Sequence, residues 1–223
     1  MNEKLLFIEI FTVFSLLLLA KKFFGKNGVL AWIPLATITA NILTVKNASI
    51  FGLNTAIGSV MFASTFLATD ILTECYGVKD AQRGVLMGFF GAVMFMICSQ
   101  IALLYSPSSI DYASEAMKNL FALNLRVNLA SVIMYLAANM ADVFLYDKLK
   151  KRTAGKKIWL RNNVSTILCN CAENFMFVFF GFYGVYNFSQ CMEIACSISI
   201  IEAIVGVCDT PFLYAALDRK SVV

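Results

Sequence analysis

Several acidic residues stand inside long apolar runs of this chain, among them Asp70, Asp142, Glu173, Glu202 and Asp209. An ionised carboxylate in the middle of a bilayer costs about 2.5–3.5 kcal/mol even on lenient scales, so each of them needs a reason. Amides and hydroxyls accompany them. Thr166, Asn170 and Glu173 recur at i, i+4 and i+7 and make one polar stripe on an otherwise apolar helix. Asn139 and Asp142 share a face at i, i+3, and Glu202 and Asp209 share another at i, i+7, while Asn41 sits near the outer end of the second apolar run. Such a stripe has to face a bundle interior or a wet cavity, because lipid would leave it unpaired. An ionised carboxylate only accepts hydrogen bonds, whereas an amide accepts and donates. Together they suit a small ligand rich in N–H donors or carrying positive charge. A guanine-like edge offers adjacent donors to a carboxylate, with Asn139 or Asn170 reading the neighbouring carbonyl, and Phe66, Phe175 and Tyr183 supply faces for stacking. The plainer alternative is that Thr166, Asn41 and Asn139 only bond one helix to another, at about 0.6 kcal/mol each. For Glu74, one turn below Asp70, an interfacial cap is the preferred reading, and Asp209 before Thr210-Pro211 marks a proline kink.

Intramembrane cations are scarce beside these acids. Arg126, at the outer edge of its run, is the one candidate, so the acids are not read as a set of internal salt bridges. There is no histidine, which removes the commonest proton shuttle and metal ligand. Seven cysteines form no C-x-x-C pair and read as small hydrophobes. Neither G-x-S-x-G nor H-E-x-x-H occurs. The expectation is a protein that binds without covalent chemistry: no enzyme, no metal and no cofactor.

The elements that must hold these residues follow from composition. Of 223 residues, 60% are hydrophobic and 14% charged, with a mean hydropathy of +0.75. Soluble domains average roughly 45–50% apolar and about 25% charged residues, and a core of this size cannot hide the surplus. The runs Leu5–Ala20, Val29–Val45, Ile50–Ile71, Gly84–Tyr105, Val127–Tyr146, Val164–Tyr186 and Ile194–Leu217 predict seven transmembrane helices. They are too long and evenly apolar for barrel strands, so the class is all-α, a single polytopic membrane domain. Lys21 and Lys22 follow the first run with no small-residue cleavage site, which favours an uncleaved span over a signal peptide. The segment from Asp147 to Arg161 holds seven basic residues and is placed in the cytoplasm. Alternation then puts fourteen of the eighteen lysines and arginines inside, Arg219 and Lys220 among them, leaving Lys4, Lys46, Lys118 and Arg126 outside. The N-terminus is expected outside and the C-terminus in the cytoplasm, and the basic loop is a topology signal rather than a nucleic-acid patch. Ser106–Asn124 reads as an external segment with a short amphipathic helix lying on the membrane.

Several stretches together resemble the YhhQ-type queuosine precursor transporters, also called the vitamin uptake transporter family. They are Phe66-Leu67-Ala68-Thr69-Asp70-Ile71-Leu72-Thr73-Glu74-Cys75-Tyr76-Gly77, Asn139-Met140-Ala141-Asp142-Val143 with the basic loop behind it, and Ser165-Thr166-Ile167-Leu168-Cys169-Asn170-Cys171-Ala172-Glu173. Met192-Glu193-Ile194-Ala195 and Asp209-Thr210-Pro211-Phe212 complete the set, and the resemblance runs from about Leu35 to Leu217. It implies a six-helix transporter core, here with an extra N-terminal helix, in a bacterial inner membrane. It also implies import of a nucleobase-like molecule, a 7-deazaguanine base or queuine, for tRNA modification. Asn41, Asp70, Arg126, Asn139, Asp142 and Asn170 fall on matching positions, and Glu173 stands where the family has aspartate. Glu202 stands where a lysine is expected, an inversion of charge that suits a cationic precursor. The alternative is a substrate-binding membrane subunit that depends on a separate ATP-driven module. The oligomeric state is not readable from the sequence: a homodimer is one open option, and no helix is read as carrying a clean G-x-x-x-G face.

Overall fold

The structure is a computed structural model that describes residues 1–121 and 125–218. Arg219 and Lys220, counted above among the inner cations, lie outside the described residues. Among the described residues there are seven helices, α1 (Asn2–Leu43), α2 (Ser59–Cys75), α3 (Val78–Leu104), α4 (Ser114–Phe121), α5 (Leu125–Arg152), α6 (Ile158–Phe182) and α7 (Phe188–Asp218), with a hairpin of β1 (Asn47–Ile50) and β2 (Leu53–Ala56) between α1 and α2. Val78–Leu104, Leu129–Arg152, Ile158–Phe182 and Phe188–Leu217 are each long and apolar enough to cross a membrane. The chain is a multi-pass, all-α membrane protein apart from that hairpin.

The first two expected spans form one element with a break. Within α1, Gly25 leaves helical geometry at φ 57°, ψ −137°, a region that glycine enters freely. Beyond it the chain doubles back. A Cβ on Gly28 would collide with the Ala20 carbonyl, an approach a straight helix cannot make over eight residues. At the far end the Asn2 amide donates to the Ser49 carbonyl at 2.8 Å, and the Phe51 N–H donates to Glu3 Oε1 at 3.3 Å. So α1 is a helical hairpin with arms at 2–24 and 26–43, and Lys21 and Lys22 belong to its first arm rather than to a loop.

The third expected span, Ile50–Ile71, needs a correction. Its first residues are strand, because Phe51 (φ 52°) and Gly52 (φ 77°) both adopt the left-handed conformation. That is what a two-residue turn between twisted strands demands, and Ile50 pairs with Leu53 across it. The helix starts only at Ser59 and runs on to Cys75, where Gly77 (φ 96°) ends it and opens α3.

Contacts between helix ends sort the bundle into two poles. At one, Lys21 Nζ donates to the Ala216 carbonyl at 2.6 Å and lies 3.2 Å from Cys75 Sγ, and Lys26 pairs with Asp80 at 3.3 Å. Lys150 and Arg161 meet Glu74 at the same pole. At the other, Asn2 meets Ser49, Gln100 donates to the Phe121 carbonyl and Arg126 to that of Phe180. Consecutive long segments therefore run alternately between a basic pole and a hairpin pole. The short α4 at the hairpin pole is held by Asp111, whose carboxylate accepts from the N–H groups of Ala113 and Ser114 and from the Ser114 hydroxyl. These bonds hold the Asp111 carboxyl below its ordinary range.

Side-chain burial is inverted relative to a water-soluble bundle. Leu86, Phe90, Met94, Ile97 and Ile101 form an exposed apolar stripe along α3, while Asp70, Asn139, Asp142, Thr166 and Asp209 are wholly buried. Lipid satisfies the first set, and only internal partners or a ligand satisfy the second. One close-packing motif was overlooked in the sequence: Gly84 and Gly88 are four apart, a G-x-x-x-G face. It packs inside the chain, with the position a Gly84 Cβ would take 2.5 Å from Ile33 Cδ1 of α1. A Cβ on Gly88 would overlap the Tyr135 hydroxyl of α5. Gly88→Ala is therefore expected to destabilise the protein by about 1–3 kcal/mol, the usual cost of overpacking, seen as a lower melting temperature in detergent. An unchanged melt would show that Tyr135 yields freely.

Candidate functional site

The long segments enclose two polar zones. Nearer the hairpin pole is a cavity of about 110 Å³ between the second arm of α1, the start of α2 and the hairpin-side halves of α5, α6 and α7. Thr37, Asn41, Phe62, Tyr135, Glu173 and Glu202 are among the residues that line it. Glu202 Oε2 accepts a hydrogen bond from the Asn174 amide at 2.7 Å, which fixes one oxygen in place. Glu173 Oε2 is buried without a hydrogen-bond partner among the described residues. Asn41 donates to the Thr37 carbonyl one turn back, at 2.9 Å. Among the described residues, no lysine or arginine lines the cavity. Two carboxylates beside the edge-to-face pair of Phe62 and Tyr135, whose ring centroids are 6.0 Å apart, favour a ligand that donates hydrogen bonds or carries positive charge.

Toward the basic pole lies a second zone. Asp70 of α2 and Asp142 of α5 are wholly buried, with their carboxyls facing one another and Ser165 of α6 beside Asp142. Asp209 of α7 accepts from the Asn162 amide of α6, and Asn162 and Asn163 also donate to the Thr210 hydroxyl at 3.2 and 2.9 Å. Asn170 and Thr166 are buried, and neither the Asn170 amide nor the Thr166 hydroxyl has a hydrogen-bond partner among the described residues. Asn139 donates to the Tyr135 carbonyl at 3.1 Å and accepts from the Thr65 hydroxyl at 3.5 Å.

The basic pole holds an ion-pair cluster centred on Glu74. Glu74 receives Arg161 at 2.8 Å and Lys150 at 3.4 Å, and the Tyr146 hydroxyl donates to it at 3.2 Å. The Arg161 guanidinium lies over the Tyr146 ring at 5.4 Å and donates to the carbonyls of Gly155 and Lys156 at 3.1 Å each. Arg161 has no exposed surface. This corrects two expectations. Glu74 is a clamped ion-pair centre rather than an interfacial cap, and Arg126 is not the one cation inside the bundle. Arg161 looked like the last residue of a solvated basic loop, and only tertiary packing shows that it turns inward.

The remaining expected residues divide clearly. Glu173, Glu202 and Asn41 meet at the cavity, Asp70 and Asp142 at the lower zone, and Asn170 and Asn139 lie in the buried interior. Arg126 stands apart in a cleft with Phe179, Phe180, Tyr183 and Phe188, where its Nε donates to the Phe180 carbonyl. The stacking candidates also move. Phe62 and Phe177 line the cavity, whereas Phe66 packs on Ala138 and Cys169, Phe175 packs in the Val178–Cys191–Ala195 cluster, and Tyr183 belongs to the Arg126 cleft. Sequence reasoning missed Tyr135, Asn162, Ser165 and Asn174. Two of these were within reach, since Asn162 and Asn174 extend the Thr166–Asn170 stripe by one turn at each end.

Comparison with known proteins adds an independent line. A family model described as "Putative vitamin uptake transporter" matches residues 56–216. A protein of Bacillus subtilis (strain 168) named "Probable queuosine precursor transporter" is 33% identical over 204 residues, covering 91% of this chain and 89% of that protein. A protein of Haemophilus influenzae (strain ATCC 51907 / DSM 11121 / KW20 / Rd) with the same name is 25% identical over 146 residues, covering 66% of this chain and 60% of that protein. No solved structure matches the chain.

Proposed function

We propose, for a chain that belongs to the vitamin uptake transporter family, that it imports a queuosine precursor, a 7-deazaguanine base or queuine, for tRNA modification. The observation that carries the reading is the cavity with two acids and no lysine or arginine on its walls. Glu173 offers its unpartnered oxygen to ring and amino N–H donors, and the edge-to-face pair of Phe62 and Tyr135 gives a flat base an apolar wall to lie against. Asn170 and Asn139, one step further in, read the carbonyl edge as the substrate descends. Arg126 meets the substrate at the outer rim. The printed names of both relatives, each a queuosine precursor transporter, support the substrate class.

The arrangement of the poles supports seven crossings in a bacterial inner membrane, the N-terminus outside and the C-terminus in the cytoplasm. The pole that gathers Lys21, Lys26, Lys150 and Arg161 is the cytoplasmic one by the positive-inside rule. The cavity then faces outward, and the Glu74–Arg161–Lys150 clamp is the inner gate. Import proceeds by alternating access: substrate fills the cavity, the outer half closes over it, and the clamp parts. The function needs no cofactor, and a second copy is a plausible partner for a transporter this small. Uptake of labelled queuine by proteoliposomes holding the purified chain alone tests the reading. Uptake in cells but none in proteoliposomes would shift it to a subunit energised by a separate ATP-driven module.

Glu202 sharpens the choice of precursor. With Asn174 holding it and Glu173 nearby, the cavity favours a precursor with a protonated amine. Glu202→Lys is expected to shift preference away from an aminomethyl-bearing base and toward an uncharged one by about tenfold or more, the equivalent of about 1.4 kcal/mol. Competition binding with the two ligands measures it, and an unchanged ratio would remove Glu202 from substrate choice.

A further inference from the structure

We propose that transport by this chain is proton-coupled, and that the facing carboxyls of Asp70 and Asp142 carry the coupling proton. The inference rests on the importer reading above and adds its driving force. Both residues are wholly buried between α2, α5 and α6, and none of their four carboxyl oxygens has a hydrogen-bond donor among the described residues. Two ionised carboxylates in contact, away from water, repel strongly and forfeit their hydration, so a facing pair is stable when it holds one proton between them.

The neighbouring groups leave the pair without a counter-ion. On α2, Glu74 lies one turn below Asp70 and adds negative charge. From α6, Arg161 is engaged with Glu74, Tyr146 and two carbonyls, and Cys169 is a neutral neighbour. From α5, Lys150 goes to Glu74 and Tyr146 donates to it. From α7, Asp209 is a third acid. Lys21 of α1 is bound to the Ala216 carbonyl and Cys75.

A second, independent observation points into the same place. Thr166 is wholly buried with its hydroxyl unpartnered. It follows Ser165, which lies beside Asp142, and stands one helical turn above Asn162, which holds Asp209. Such a hydroxyl donates and accepts, as a relay requires.

The same helix supplies the route. Glu173 faces the outer cavity, and Asn170, Thr166 and Ser165 step down α6 from it to the pair, roughly 12 Å by helical rise over eight residues. Below the pair, the next acid is Glu74 in the inner clamp. A proton taken from external water reaches the Asp70–Asp142 pair while substrate occupies the cavity. It leaves to cytoplasmic water when the clamp parts. No bond of the substrate changes.

Proteoliposomes of the full chain, loaded with a pH dye, test this with labelled queuine. Counterflow without any gradient checks the importer reading by itself. An inward acid gradient is expected to raise accumulation by up to about tenfold per pH unit for one proton per substrate, with substrate-dependent internal acidification. Asp142→Asn and Asp70→Asn are expected to keep counterflow while losing both gradient-driven accumulation and acidification. Asp142→Glu, which keeps a carboxyl, is expected to retain all three. Counterflow by the wild type with no proton movement, or accumulation driven by sodium instead, would overturn the coupling and leave the importer reading intact. Loss of counterflow in Asp142→Asn and Asp142→Glu alike would make that side chain structural and overturn its assignment. No counterflow by the wild type would overturn the importer reading and the coupling with it.

Discussion

Glu173→Gln is expected to weaken queuine binding by about 10- to 100-fold and to cut uptake at low substrate in proportion. Glu173 is buried on the cavity wall, with one oxygen lacking any partner among the described residues. A hydrogen bond to a charged group contributes about 1.5–3 kcal/mol, and each 1.4 kcal/mol is tenfold in affinity. Glutamine keeps the shape and the length but replaces one acceptor with a donor, which then faces the donor edge of the base. The change therefore removes an attraction and introduces a clash of like groups. Direct binding of labelled queuine to purified protein measures the loss. Equal affinity in the two proteins would take Glu173 out of the site. Glu173→Asp is expected to lose less, because the carboxylate survives on a shorter arm.

The second large effect is expected at the opposite pole. Removing one partner of a buried ion pair costs about 3–5 kcal/mol, since the other charge is left uncompensated. Arg161→Gln falls at the lower end of that range, near 3 kcal/mol, because Lys150 and the Tyr146 hydroxyl still hold Glu74. The guanidinium also ties the α5–α6 connection through the carbonyls of Gly155 and Lys156. Melting in detergent should drop clearly, and the inner gate should open more often. A cysteine placed in the lower zone would then react faster with a reagent applied from the cytoplasmic side. A variant that melts with the wild type and reacts at its rate would mean that the clamp neither stabilises nor seals.

The sequence announced these two poles unequally. Helices α3, α5, α6 and α7 are long apolar runs with a 3.6-residue polar stripe at most, so their existence follows from length and hydropathy alone. The acids of the cavity were legible as well, because a carboxylate in an apolar run is conspicuous whatever surrounds it. Partnership was harder to read. Asp70 and Asp142 are 72 residues apart and belong to different helices, and nothing local says that they face each other while Glu74, one turn away, meets Arg161 instead. Arg161 closes a run of seven basic residues, and in such a run the topology signal masks the one side chain that turns inward. The β-hairpin escaped notice for a different reason. Phe51-Gly52 lacks the usual Asn-Gly turn signature, and apolar residues on both strands continue the hydropathy of the following helix.

The doubled-back form of α1 has a consequence for how the chain is made. Its two arms are joined at Gly25 with no connecting loop, so neither can settle across a bilayer without the other lying alongside. Synthesis must deliver them as a pair, and the pair is latched only when Ser49 emerges to receive the amide of Asn2. Lengthening the bend by a few flexible residues would separate those two events, and the two arms would then enter the membrane as independent rods.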